Sequence, residues 1–201
     1  MVSLVYQKNK YSIDKIYLVL ISIGILAPGM GAIDNNAIRW LFLSLISGFY
    51  ILKLLINNRD VIPKTKLTVL TIVGSFIFLF WSAYSAPNPT EGFISLYKLV
   101  VIVAVFFSSL NALKNIENSL FYLSTIFAYS LLIEGGYTII DYFNEENFTG
   151  IANNRNISSS AIIIKLTFLI YIISKTSKKS LKNFYRMIEL MSIISIIILQ
   201  S

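Results

Sequence analysis

Apolar residues gather in seven long runs separated by polar connections. The runs are Ile13–Ala27, Ala37–Ile56, Leu67–Tyr84, Phe93–Leu110, Leu120–Ile140, Ile157–Ile173 and Phe184–Leu199. A helix that crosses a bilayer needs about 20 apolar residues, within a range of roughly 17–25. The middle runs meet that length. The first does so if it continues through Pro28 and Gly29 to Ile33, with a kink at the proline. The pattern predicts an all-α fold: a polytopic transmembrane helical bundle of about seven spans, forming a single transmembrane domain over residues 1–201.

Charge sharpens this picture. Only 13% of the residues are charged and 56% are hydrophobic, where a soluble domain carries about 25% charge. The lipid bilayer is therefore the expected surrounding. The net charge of +7 needs no nucleic acid to explain it, because basic residues in membrane proteins mark cytoplasmic connections. All but four of the seventeen basic residues sit at the N-terminus or in the even connections, near Arg59, Lys114 and Lys178. The odd connections hold almost none, and the fifth carries Asp141, Glu145 and Glu146. This alternation predicts a cytoplasmic N-terminus with odd connections facing outward. The basic start, short apolar core and Gly29-Met30-Gly31-Ala32 also fit a cleavable signal peptide, whose removal would leave the remaining topology unchanged. The chain has neither Cys nor His, so thiolate chemistry, imidazole bases and His-ligated metals are excluded within it. No metal or other cofactor is expected.

The four remaining cations are Arg39, Lys98, Arg155 and Lys165. Lys98 lies about one turn inside the fourth span, within snorkelling distance of the headgroups. Lys165 lies eight residues beyond Ile157 and Glu134 seven residues before Asp141, so both sit roughly 10–12 Å inside the membrane. One outer connection joins their two helices. Opposite charges at matching depth predict an ion pair, either fixing helix register or lining an outward cavity. Arg155 stands among Asn153, Asn154 and Asn156, just before Ser158, Ser159 and Ser160. Those asparagines suit the entry of the sixth helix, whose free N–H groups they would cap. A helix N-terminus beside an arginine also suits an anion. Arg39, at the outer start of the second helix, is expected to join it. Trp81 and Tyr84 close the third run as an interfacial aromatic belt. The acceptor patterns Asn147-Phe148-Thr149 and Asn156-Ile157-Ser158 are short enough to arise by chance.

Two stretches carry a family resemblance. Trp81-Ser82-Ala83-Tyr84-Ser85, followed by Asn88-Pro89-Thr90-Glu91-Gly92 and Ser95-Leu96-Tyr97-Lys98, resembles the outer turn and basic helix of the O-antigen ligase and O-antigen polymerase superfamily. Gly150-Ile151-Ala152-Asn153-Asn154-Arg155-Asn156 resembles the entry to that family's central region. The resemblance covers the N-terminal half of a typical member. The run Ile196 to Ser201 looks like the helix before a Ser-Arg motif of the family, so a truncated, split or partial chain is expected, with a C-terminal half as missing partner and binding without turnover in its absence as the alternative to a complete enzyme.

The resemblance implies transfer of a glycan from undecaprenyl diphosphate at the outer face of the bacterial inner membrane. The acceptor would be lipid A-core or another carrier-linked glycan. It implies no nucleotide sugar and no metal. Cations must hold a leaving diphosphate, and Arg155, Lys98 and Arg39 are the candidates for binding it. The acceptor hydroxyl needs a base, and Glu134 is the candidate catalytic residue unless Lys165 locks it. Two other classes compete: a polysaccharide transporter or flippase-like subunit gated by Glu134 and Lys165, and a non-catalytic membrane partner. An internal repeat would favour the transporter, and none is evident.

Overall fold

The structure is a computed structural model that describes residues 2–26, 37–57, 59, 61, 66–144, 149–152 and 154–200, with only the backbone described for residues 2–12 and 66–69. Among these residues it is all-helical, with seven helices: α1 (Val2–Leu26), α2 (Ala37–Ile56), α3 (Lys66–Tyr84), α4 (Pro89–Lys114), α5 (Ser119–Asn144), α6 (Arg155–Lys175) and α7 (Lys179–Gln200). Five of them, α2, α4, α5, α6 and α7, are long and apolar enough to cross a membrane. In α3 the apolar stretch Leu70–Tyr84 is shorter. Each apolar run lies in one helix, the first as far as Leu26. The kink expected at Pro28, the extension to Ile33 and the acidic pair Glu145–Glu146 lie outside the described residues. The chain divides into two compact units, Met1–Tyr17 with Trp40–Asn115, and Leu18–Arg39 with Ile116–Ser201.

In the first unit α3 and α4 form a hairpin. Asn88 is the N-cap of α4 and its side chain accepts the Glu91 N–H at 3.4 Å. Pro89 occupies the first helical position, where a missing N–H costs nothing. Glu91 in the first turn and Lys114 in the last complement the helix dipole. Gly92 lets the two backbones touch: a Cβ there would stand 2.7 Å from the Ala83 carbonyl oxygen. In the same unit α1 meets α2 at Tyr17 and Tyr50, whose rings stack with centroids 4.2 Å apart. Asp14 is fully buried, accepting the Tyr50 hydroxyl at 2.7 Å and pairing with Lys53 at 3.2 Å.

The second unit is built on α5, α6 and α7, which pack pairwise. Three residues, 176–178, separate α6 from α7, so these helices run antiparallel. Thr176 caps α6, its hydroxyl and its N–H both donating to the Ile172 carbonyl, at 2.7 and 2.9 Å. Buried positions follow a heptad-like seam. On α7 they are Tyr185, Ile188, Ser192, Ser195 and Leu199, and on α5 they include Ser124, Ala128, Leu131, Gly135 and Thr138. This alternation of three and four residues belongs to shallow crossing angles near 20°. Small residues on the seam bring backbones close, which is how helices associate where lipid is as apolar as leucine. Ser195 illustrates it, its one hydroxyl proton shared between the Met191 carbonyl at 2.9 Å and the Gly135 carbonyl of the neighbouring helix at 3.2 Å. The outward faces are left to large apolar side chains such as Ile164, Ile170, Leu190 and Ile197, all exposed. Lipid requires such a face.

Candidate functional site

The second unit contains a cavity of about 220 Å3, and the chain around it is fixed by polar contacts. The α5 helix continues four residues past Ile140 to Asn144. Asp141, expected in the outer connection, is therefore a buried residue of the helix. The continuation is sustained by hydrogen bonding, which hydropathy does not register. Asp141 Oδ2 accepts the backbone N–H groups of Thr149 and Gly150 at 3.1 and 3.2 Å. Gly150 has φ +71°, and a Cβ there would lie 2.7 Å from Ser158 Oγ. Only glycine meets both demands without strain. Ser158 Oγ donates to the Thr149 carbonyl at 3.0 Å and accepts the Ala152 N–H at 3.3 Å. Asn154 is the N-cap of α6, accepting the Ile157 N–H at 3.1 Å. Residues 149–152 are thus tied to α5 on one side and to the first turn of α6 on the other.

The polar lining of the cavity comes from Arg39, Glu134, Thr138, Ser158 and Lys165, set among apolar residues that include Ile25 and Ile162. The Arg39 guanidinium donates to the Ile151 carbonyl. Lys165 Nζ pairs with Glu134 Oε1 and donates to Ser130 Oγ at 3.0 Å. The carboxylate and ammonium side chains keep only 10% and 12% of their surface exposed, so water screens them weakly. Glu134 uses one oxygen. Its other, Oε2, is buried with no hydrogen-bond partner. Two cations and one carboxylate give the lining a formal charge of +1.

No family model, curated protein or solved structure matches this chain. The chemistry of the cavity therefore rests on its residues.

The structure brings Glu134, Lys165 and Arg39 to one cavity and distributes the other candidates. Arg155 is the first residue of α6 and half-buried, and it is not among the lining residues. Asn156 is exposed, its carbonyl accepting the Ser159 hydroxyl at 3.1 Å. Asn153 lies outside the described residues. Lys98 belongs to the first unit, with its ammonium 5.9 Å from the centroid of the Trp40 ring. Trp81 and Tyr84 are exposed neighbours with ring centroids 6.5 Å apart. No group of three or more Asp or Glu residues placed to hold a metal occurs among the described residues.

Four buried polar residues, three of them around the cavity and one in the first unit, escape a reading by hydropathy. Ser130 and Ser158 look like ordinary small residues, and only their spacing on the face of Glu134 and Lys165 marks them. Asp141 looks like the first residue of a loop. Asp14, beside the basic Lys15 at the head of the first run, reads as headgroup-level polarity. The matching depth of Lys53 at the end of α2 is the signal that it is paired.

Proposed function

We propose that the chain transfers a glycan from a lipid-linked diphosphate carrier at the outer face of the bacterial cytoplasmic membrane. This is the activity of the O-antigen ligases and polymerases that Trp81–Lys98 and Gly150–Asn156 resemble. It would do so as a protein of seven spans with a cytoplasmic N-terminus. The carrier is undecaprenyl diphosphate, and the acceptor a hydroxyl of lipid A-core or of a second carrier-linked glycan. The observation that carries the reading is the cavity beside the first turn of α6, lined by two cations and a carboxylate with one oxygen unpartnered. Transfer needs those elements. As the acceptor oxygen bonds to the anomeric carbon, the bond from that carbon to the diphosphate breaks and negative charge collects on the leaving group. Arg39, with its fork of donors, stabilises that charge, and the N-terminus of α6 adds its dipole. Glu134 Oε2 receives the proton from the acceptor hydroxyl. Lys165 does pair with the carboxylate, the contact that would disqualify a base, but it pairs through Oε1 alone and leaves Oε2 without a partner. Arg155, at the head of the same helix, draws the anionic headgroup towards the site.

The test is binding and turnover by the purified chain in detergent. A diphosphate-lipid analogue should bind, and a contact with a charged partner contributes about 1.5–3 kcal/mol. Arg39→Ala and Arg155→Ala should therefore each weaken binding by roughly tenfold or more. Arg59→Ala, on the basic side of the chain, should leave it unchanged. Equal affinity in all three variants overturns the anion site. Transfer that persists undiminished in Glu134→Gln removes the base from Glu134.

A further inference from the structure

The unpartnered oxygen of Glu134 constrains the ligand more tightly than the cations do. Buried carboxylate oxygens are ordinarily hydrogen-bonded, and an orphan calls for a partner. Here the orphan belongs to a residue only 8% exposed, and that residue lines a cavity. Both cations near it already have protein partners: Arg39 on the Ile151 carbonyl, Lys165 on Glu134 Oε1 and Ser130 Oγ. Lys165 has three ammonium donors, so one remains after those two. At about 220 Å3 the cavity holds the volume of roughly seven waters at ~30 Å3 each. That is below the roughly 300–1,000 Å3 of sites that enclose drug-sized ligands. It takes a phosphoryl group and the few atoms attached to it, with the rest of a larger carrier left outside.

We infer that the cavity selects an anionic phosphoryl group that carries a hydroxyl donor within a few atoms of its phosphorus, the hydroxyl donating to Glu134 Oε2. The inference rests on the anion-site reading above and adds the second half of the ligand. The charges agree. The lining is formally +1, which attracts an anionic phosphoryl group. The placement agrees also. Arg39, held on the Ile151 carbonyl, and Glu134, held by Lys165, line the same cavity. A ligand there offers its phosphoryl oxygens to Arg39 and its hydroxyl to Glu134. A plain phosphodiester leaves Oε2 as it is now and gains only the cationic half. Hydroxyl-bearing phosphates of this kind include sugar-phosphate and polyol-phosphate ends. The site would then choose among lipid-linked phosphates by the group beside the phosphorus rather than by the lipid.

Two probes separate the halves. Methyl 2-hydroxyethyl phosphate and methyl propyl phosphate are both monoanions of nearly the same shape, and only the first carries a donor. Affinity for each is measured by calorimetry on the full chain in lipid nanodiscs. A hydrogen bond to a charged acceptor corresponds to roughly tenfold or more in affinity, so the wild type should prefer the hydroxyl probe by about that factor. The paired variant Glu134→Leu/Lys165→Met replaces the ion pair with apolar residues and so avoids leaving one charge buried alone. It should bind both probes equally, with Arg39 still supplying the cation. Equal binding of the two probes by the wild type overturns the selectivity while leaving the anion site standing, provided Arg39→Ala weakens both. A preference retained by the paired variant places the acceptor elsewhere and also overturns it. Absence of binding by either probe at millimolar concentration refutes the inference and the anion-site reading together.

Discussion

Removing either charge of the Glu134–Lys165 pair should destabilise the second unit, and the two losses should be unequal. Lys165→Met leaves a buried carboxylate with neither oxygen partnered, because Oε2 lacks a partner already. Breaking a buried pair from one side costs about 3–5 kcal/mol. The cavity beside Glu134 admits some relief, so about 3 kcal/mol is expected. Glu134→Gln is milder. Lys165 keeps Ser130 at 3.0 Å, and the neutral amide removes the orphaned carboxylate oxygen, so about 1–2 kcal/mol is expected, in line with a lost hydrogen bond to a charged group. The double variant should be less destabilised than Lys165→Met alone. For a chain of this size 1 kcal/mol shifts the melting temperature by about 2–4 °C. The single variants should thus melt about 6–12 °C and about 2–8 °C below the wild type in the same detergent, on the same scale. The assay is thermal unfolding of the four proteins, followed by intrinsic fluorescence and by loss of monodispersity. Equal losses in the two singles, with the double at their sum, would refute the reasoning, since additive effects mean the residues are not coupled.

Three further outcomes follow from other parts of the chain. A single Cys at Asn88 should react with a membrane-impermeant thiol reagent in intact cells and one at Lys178 should not; the reverse labelling would invert the orientation drawn from the basic residues. Gly92→Val should separate α3 from α4, because even a Cβ would meet the Ala83 carbonyl at 2.7 Å; a cost of about 1–3 kcal/mol is expected from overpacking, and an unchanged melting temperature would contradict the close approach. Asp141→Ala should release the Thr149 and Gly150 N–H groups and speed proteolysis between 149 and 152 by about tenfold, given about 1.5–3 kcal/mol for such charged hydrogen bonds; unchanged cleavage would mean the turn is held by Ser158 alone.

Much of the architecture was legible because lipid imposes a simple rule. A helix must be apolar along its length to cross, and the run Ala37–Ile56 coincides with α2 in full. Ends were less legible. The α5 helix runs on through Asp141, Tyr142 and Phe143 because a hydrogen-bonded carboxylate can be buried, and no hydropathy window sees the bond. Glu134 and Lys165 could be matched from sequence, since helical rise converts residue number into depth. Arg39 reaching Ile151, over a separation of 112 residues, could not, because no local pattern fixes which helix neighbours which. For the same reason the sequence places Arg155 at the entry of α6 without showing that Arg39 and Lys165, and not Arg155, line the cavity.

The spacing of Glu134 and Lys165 has a consequence for how the protein is made. The ribosome delivers Glu134 thirty-one residues before Lys165. Until α6 emerges, α5 has an ionisable residue with no counter-charge, and a charge at the centre of a helix costs about 2.5–3.5 kcal/mol during insertion. The penalty vanishes once the lysine arrives, so α5 is expected to wait at the translocon and enter the bilayer together with α6, as a hairpin. Asp14 and Lys53 repeat the arrangement thirty-nine residues apart. The order of synthesis, with each acid ahead of its base, then sets the size of the piece that the membrane receives.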